Sequence, residues 1–367
     1  MTRVEHLSVY DLILKTRSPL HIGSGNICAK TDYLYDPRSE MVSMINPDAL
    51  FAWLYKQHLA DSYERFILSG NTRMFQFLRD NKISTQERDG ICYYKVNAAD
   101  ALDDTHSLKE IHTFIRDSAH RAYIPGSSVK GALRTVLLAG MMDKEQKGTW
   151  PNEQRKERKA RQMQDLEGEY LNTLALKKEK SGNTSNDPVN SILRGLSVSD
   201  SEPVSDTDLI LAGKIDVNEK GEYKKIPLCR ECIRPGTDIH FKLTFDYSAL
   251  PPEYSADTLM LAIRKFDEFY QETYLSRFTP PYGARVIPFR DSLILGGGSG
   301  YFAKTLAYPY LGEAEGMYYV ENIMCEQFPK HGHGKDVSEH GVSPHTMKYG
   351  KYNDQFYPYG VCEVKIL

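Results

Sequence analysis

Between residues 142 and 190 the chain loses the means to fold by itself. QRKERKARQ (154–162) is almost wholly charge and amide, KKEK (177–180) repeats the theme, and SGNTSNDP (181–188) ends it in linker residues. Such a stretch buries too little apolar surface to offset the entropy of ordering. It is expected to be an excursion, part solvated helix and part mobile loop, between an N-terminal unit (1–141) and a C-terminal unit (191–367).

On both sides of it, apolar residues come in short runs. Before it, Val9 to Lys15 alternates as a strand does, SPLHIGSG (18–25) breaks the run, and DYLYD and MVSMI follow as short strands. Asn46-Pro47-Asp48 sets a cap and a first-turn proline ahead of LFAWLYKQHL, a helix start. More helix is expected over Asp61 to Asn81, then strands in ICYYKVN and LKEIHTFIRD. After the excursion, LSVSDS, DLILAGKIDV, IPLCREC, DIHFKLTFDY and the closing VCEVKI read as strands, and Thr258 to Tyr274 as an amphipathic helix. No fixed period recurs, so the pattern is α+β, with room for a duplicated unit.

With 41% hydrophobic residues the chain has material for a real core, and its six cysteines are too scattered for a disulfide framework, which points to a reducing cytoplasm. No run approaches a membrane span. The formal net charge of −3 argues against indiscriminate coating of polyanions, so any nucleic-acid site must come from locally gathered cations.

The segment YIPGSSVKGALRTVL (123–137) is where such a site is expected. A strand stops at Pro125-Gly126 and a helix restarts, with Ser127 or Ser128 available to cap it and first-turn amides turned toward an anion. Lys130 and Arg134 fall on one face; Val129, Leu133, Val136 and Leu137 supply the buried one. Arg116, His120 and Arg121 extend the basic strip. In SPLHIGSG, His21, Gly23, Ser24 and Gly25 end a strand in a loop that backbone or ligand can approach closely. In LGGGSGYFAKTL (295–306), Gly296, Gly297, Gly298 and Gly300 can present successive amides beside Ser299, with Lys304 for charge.

Three other chemistries are weighed and set lower. Gly298 to Thr305 nearly reads as a nucleotide-binding P-loop, but Ala303 stands where the glycine before Lys304 is required. Asp32 and Asp36 could assist RNA cleavage, yet spacing pins no His or Lys to them. Cys229 and Cys232 have metal-ligand spacing, and His331, His333, His340 and His345 could complete a zinc site, but the second half lacks the spacing of a finger. No cofactor and no metal are assigned.

Taken together, SPLHIGSG, FIRDSAHRAYIPGSSVKGALRT and LGGGSGYFAKTLAYPYLG resemble the RAMP superfamily of CRISPR-associated proteins. Within it, LSVSDSEPVSDTDLILAGKID, IPLCRECIRPGT and HGVSPHTMK resemble the family of fifth subunits of the type III-A Csm effector. The resemblance covers nearly all of the chain except the charged excursion. It implies decorated RRM-like, ferredoxin-type βαββαβ units, here two in tandem. It also implies a subunit capping the assembly at the 3′ end of the guide RNA (crRNA), beside the repeated backbone subunits, where it supports crRNA maturation and complex assembly. Expected partners are crRNA, target RNA, other Csm subunits and host nucleases that trim the guide, with no membrane. By the resemblance, Gly126, Ser127, Ser128, Lys130, Gly131, Arg134, His21, Gly23, Ser24, Gly25, Gly297, Gly298, Ser299, Gly300 and Lys304 surround guide RNA or support the loops that do. Backbone subunits of such complexes cut target RNA with an aspartate in the loop after the first motif. Here that loop, NICAKTDYLYD, is shorter and Asp32 is out of clear register, so a non-catalytic RNA binder is expected.

Overall fold

The computed structural model describes residues 6–70, 73–101, 108, 110–142, 148–149, 156–177 and 187–367. Its strands are β1 (Leu7–Thr16), β2 (Gly23–Cys28), β3 (Tyr33–Asp36), β4 (Met41–Ile45), β5 (Cys92–Asn97), β6 (Glu110–Phe114), β7 (Leu196–Val198), β8 (Leu209–Asn218), β9 (Tyr223–Ile233), β10 (Asp238–Asp246), β11 (Ser292–Ile294), β12 (Thr346–Tyr352), β13 (Gln355–Pro358) and β14 (Val361–Ile366). Its helices are α1 (Pro47–Lys56), α2 (Ala60–Leu68), α3 (Met74–Asp80), α4 (Thr85–Gly90), α5 (Gly126–Met141), α6 (Lys156–Leu171), α7 (Ala256–Thr273), α8 (Ala307–Leu311) and α9 (Glu313–Gln327).

The architecture is mixed α+β with two curled sheets. The smaller runs β11-β14-β1-β10-β7, all antiparallel. Alternation fixes its inner face: Leu12 and Leu14 of β1 and Ile239, Phe241, Leu243 and Phe245 of β10 are all buried. Helices α5 and α7 pack against each other and this sheet. On α5 the buried set includes Val129, Leu133, Val136 and Leu137, the stripe expected from their spacing.

The larger sheet runs β2-β6-β9-β8-β5-β4-β3, with the β12–β13 hairpin attached to β8. Its β6–β9 and β5–β8 contacts are parallel and the rest antiparallel. Both sheets interleave early and late strands: β1 lies between β10 and β14, and β5 and β6 lie beside β8 and β9.

Three local expectations change. SPLHIGSG ends as an edge strand rather than an open loop, because Gly23 pairs with Phe114 and a register shift before Ile27, with Gly25 at φ 88°, absorbs the extra residues as a bulge. Ser127 and Ser128 do not cap α5: Pro125 holds the cap position without a side-chain bond. The charged excursion is anchored at α6, whose Leu166 and Leu171 enter the main core, while residues 143–147, 150–155 and 178–186 of it lie outside the described ones. Expected without change are Asn46 capping α1 through Oδ1 and Pro47 at its start. Helix α7 opens two residues earlier than expected, on a Ser255–Thr258 capping box.

Candidate nucleic-acid interface

Two of the glycine-bearing motifs, SPLHIGSG and LGGGSG, distant in sequence, meet around one imidazole. His21 is buried, donates from Nδ1 to the Glu231 carbonyl at 2.7 Å, and its ring lies against both Gly23 and Gly297. A Cβ on Gly297 would come within 2.8 Å of that ring, and one on Gly296 within 2.3 Å of the His21 carbonyl, so these glycines permit contact between the loop and β2's entry. The Gly297 amide donates to the His21 carbonyl at 2.7 Å. Helix α5 packs on the turn Phe302–Lys304 that follows the same loop. Burial pushes the His21 pKa down to about 4, against the hydrogen bond to Glu231 and with help from the Arg230 charge, so the ring is neutral at physiological pH.

Most polar groups at this convergence serve the protein itself. Ser299 is buried with its hydroxyl donated to the Gly296 carbonyl at 2.8 Å, and Lys304 Nζ folds back onto that carbonyl at 2.8 Å. The Gly126 amide, first of α5, donates to Asp200 Oδ1 at 2.9 Å. An internal carboxylate thus already complements the positive helix start. Lys130 Nζ donates to the Leu193 carbonyl at 2.8 Å and Arg134 pairs with Glu167 of α6. Arg121 is exposed and held by Asp117 at 2.7 Å. Gly23, Gly25, Ser127 and Gly300 face solvent, and Ser24 shares a hydrogen bond with Thr113 at 2.7 Å. Gly298, at φ 93°, has Arg230 Nη1 and the Tyr359 ring where a Cβ would stand, whereas the space beside Gly300 is open.

Arg116 lies deeper than its neighbours. Its guanidinium is 3.3 Å from the Tyr94 ring centroid and bridges Glu231 and Asp206, each at 2.7 Å. Glu231 is almost completely buried and also accepts from the Phe114 amide at 2.8 Å and the Tyr94 hydroxyl at 3.2 Å. Burial pushes the Glu231 carboxyl up, against the pull of Arg116 and these donors.

Beside the glycine loop stand cations that spacing does not reveal. His112 of β6 and Arg230 of β9 are direct cross-strand neighbours, and Arg230 Nη1 is buried with no hydrogen-bond partner among the described residues. Burial lowers the pKa values of Lys304, Lys214 and His112, and in each the positive Arg230 adds to the effect. Lys348 pairs with Asp216 at 2.9 Å close by. Like charges collected this way raise one another's energy, and a bound anion relieves it.

Two grooves add surface. One of about 760 Å³ is lined by Ser24, Asn26, Asp32, Tyr63, Tyr93 and His120, with Tyr93 and His120 stacked at 4.0 Å. Another of about 880 Å³ carries Lys30, Arg38, Arg73, Arg79 and Arg88 against one carboxylate, Asp36. Those five cations are scattered over some sixty positions of sequence, and only the fold gathers them.

The lower-ranked chemistries meet specific obstacles. Asp32 closes a local turn, accepting from the Ala29 amide at 2.8 Å and the Thr31 hydroxyl at 3.3 Å. After Gly300 the chain makes a single tight turn, not the long helix that a P-loop requires, and Lys304 is bound to its own loop. Cys229 and Cys232 sit three apart on a strand, so they point to opposite faces and join different packing clusters. No helix among the described residues is long and apolar enough to cross a membrane.

Comparison with known proteins gives a consistent answer. The family model of the RAMP superfamily matches residues 13–278. The chain is 30% identical over 314 residues to the CRISPR system Cms protein Csm5 of Streptococcus thermophilus, covering 81% of this chain and 80% of that one. It is 26% identical to the Csm5 of Enterococcus italicus, with 96% of each chain covered. Two solved structures share its fold. A chain of a type III-A Csm–crRNA–target RNA ternary complex superposes with a TM-score of 0.62 at 21% identity over 97% of this chain and 100% of that one. Csm5 of T.onnurineus gives 0.61 at 18% identity, covering 96% and 99%. By these matches the chain belongs to the RAMP superfamily, in its Csm5 family.

Proposed function

We propose that this chain is the crRNA-binding subunit that caps the 3′-end side of a type III-A effector, gripping RNA backbone without cleaving it and supporting guide maturation and assembly in the cytoplasm. One relative's fold was solved within a complex of Csm proteins, crRNA and target RNA. Partners of the same classes are inferred here: crRNA, target RNA, neighbouring Csm subunits and the nucleases that trim the guide. The observation that carries the reading is the pair of cations Arg230 and Lys214 at the glycine loop, where Arg230 meets Gly298 and Gly300 opens to solvent, on a chain whose net charge is negative. Phosphates need backbone amides and cations in one place, and a variable spacer needs recognition blind to sequence. The stacked Tyr93 and His120 offer a platform for bases nearby in the fold's surface grooves. Two tandem RRM-like units belong to the proposal as well, with their strands interleaved as the sheet orders describe.

The test is RNA retention by the assembled complex. Arg230→Ala with Lys214→Ala removes two cations, so the log-log salt slope should become shallower by about 1.4, two phosphates at ~0.7 each for a single strand. Crosslinks from the guide should map to residues around 296–300. An unchanged slope with crosslinks elsewhere overturns the assignment of this pair.

A further inference from the structure

The segment between α9 and β12 folds around a carboxylate that the RNA-binding reading does not use. Asp336 is completely buried, and two imidazoles present the same ring atom to it. His333 Nδ1 is 3.0 Å from Oδ2 and 3.2 Å from Oδ1, and His345 Nδ1 is 2.5 Å from Oδ1. The Ser343 hydroxyl donates to Oδ2 at 2.8 Å. One ligand atom from each of His333, Asp336 and His345 lies within 4.8 Å of the others, and the two rings stand 4.8 Å apart. The surroundings are rigid: the hydroxyl of Tyr308 donates to the Ser343 carbonyl, that of Tyr274 to the Pro344 carbonyl at 3.0 Å, and both rings stack on Phe302.

We propose that His333, Asp336 and His345 form a zinc site that closes this segment on itself above the aromatic core on which it rests. Two neutral imidazoles and one carboxylate are a donor set zinc accepts, and it leaves a fourth tetrahedral position for water. Zinc bonds of about 2.0–2.1 Å to such donors put neighbouring ligand atoms about 3.3 Å apart. The observed separations of 2.5–3.2 Å are those of hydrogen bonds across the same three atoms. Opening the two imidazole–carboxylate separations by less than about 1 Å, with all three ligand atoms already within 4.8 Å of one another, leads from one arrangement to the other. In that conversion each Nδ1 proton leaves or moves to Nε2, the freed lone pairs turn to the ion, and Asp336 exchanges its imidazole donors for the metal. Ser343 keeps its bond to the carboxylate, the outer partner that holds a ligating oxygen in place. His340, stacked on His345 at 4.7 Å, is tied at Nδ1 to Glu219 at 2.9 Å and so stays outside the set while fixing the ring that belongs to it. Cys229 and Cys232 take no part.

The experiment uses the full chain, purified without chelator or affinity nickel, dialysed against zinc and then against buffer, and assayed by plasma mass spectrometry. One zinc per chain is expected, falling at least tenfold in His333→Ala and in His345→Ala, and unchanged in Cys232→Ala. Replacement by cobalt in the unaltered chain should give the intense visible bands of a tetrahedral site, a readout that requires no variant to fold. Less than a tenth of an equivalent of zinc together with no such bands overturns the site. So does stoichiometric zinc that persists in the doubly altered chain, provided its circular dichroism is native. Guide-RNA retention is measured separately, so loss of the zinc assignment leaves the RNA reading standing, and the converse.

Discussion

Replacing Arg116 with alanine separates a structural cation from an RNA contact. The guanidinium is about nine-tenths buried and faces Glu231, which is 1% exposed. Glu231 has three sources of compensation, and Arg116 is the one that carries charge. Removing one partner of a buried ion pair typically costs about 3–5 kcal/mol, because the remaining charge is stranded. At 1.36 kcal/mol per decade this lowers the folding constant by roughly two to four powers of ten. The pair with Asp206 adds less, since that carboxylate is 44% exposed. Urea denaturation followed by circular dichroism should therefore show a clear drop in midpoint for Arg116→Ala. Glu231→Leu combined with Arg116→Met should recover part of it, short of full recovery because the Phe114 amide loses its acceptor. The coupling energy from this cycle should be of the size that contacting residues show, about 0.5–3 kcal/mol. A midpoint within ~0.5 kcal/mol of the parent, joined to a loss of RNA affinity, would refute the reasoning and return Arg116 to the RNA surface.

His21 gives the chain a dependence on acid. Its folded pKa of about 4 lies below the ordinary 6.5, so the unfolded chain takes up the proton first. The contribution is therefore present above about pH 6.5 and lost as pH falls through 4, by about 3 kcal/mol in all. Denaturation midpoints across that window should fall more steeply for the parent than for His21→Gln; parallel curves would contradict the burial argument. Two glycines of α5 should respond oppositely to alanine. A Cβ on Gly126 would stand 2.1 Å from the Val198 carbonyl, so Gly126→Ala should cost about 3 kcal/mol or more, whereas Gly131, with open space around it, should gain about 0.5–1 kcal/mol in thermal unfolding.

Local chemistry made the elements legible. Asn46 with Pro47, the alternation in β1, β8 and β10, and the apolar stripe of α5 all read correctly because each depends on a few adjacent residues. Helix α9 and the β12–β13 hairpin did not read. The hairpin turns on Asn353 and Asp354 at positive φ, pairs with β8, and has the amides of both turn residues bound by Asp100, partners that adjacency does not announce. At the interface, the three motifs were visible, but which of their groups face outward was not. Asp200 answers the first amide of α5 from 74 residues away, and Glu231 claims Arg116 from 115. Arg230 sits between two cysteines that drew attention for metal-ligand spacing, and its place beside Gly298 exists only once β9 is paired.

Strand β14 links the first strand to the glycine loop, since it pairs with β1 on one side and with β11 on the other, and the Gly360 carbonyl receives the Leu295 amide. During translation β1 leaves the ribosome long before this neighbour exists, so one edge of it waits uncovered and exposed to wrong pairings. A nascent polypeptide halted before Val361 would lack the support that seats residues 295–300. The shape of the loop at 295–300 therefore depends on a strand that is translated after it.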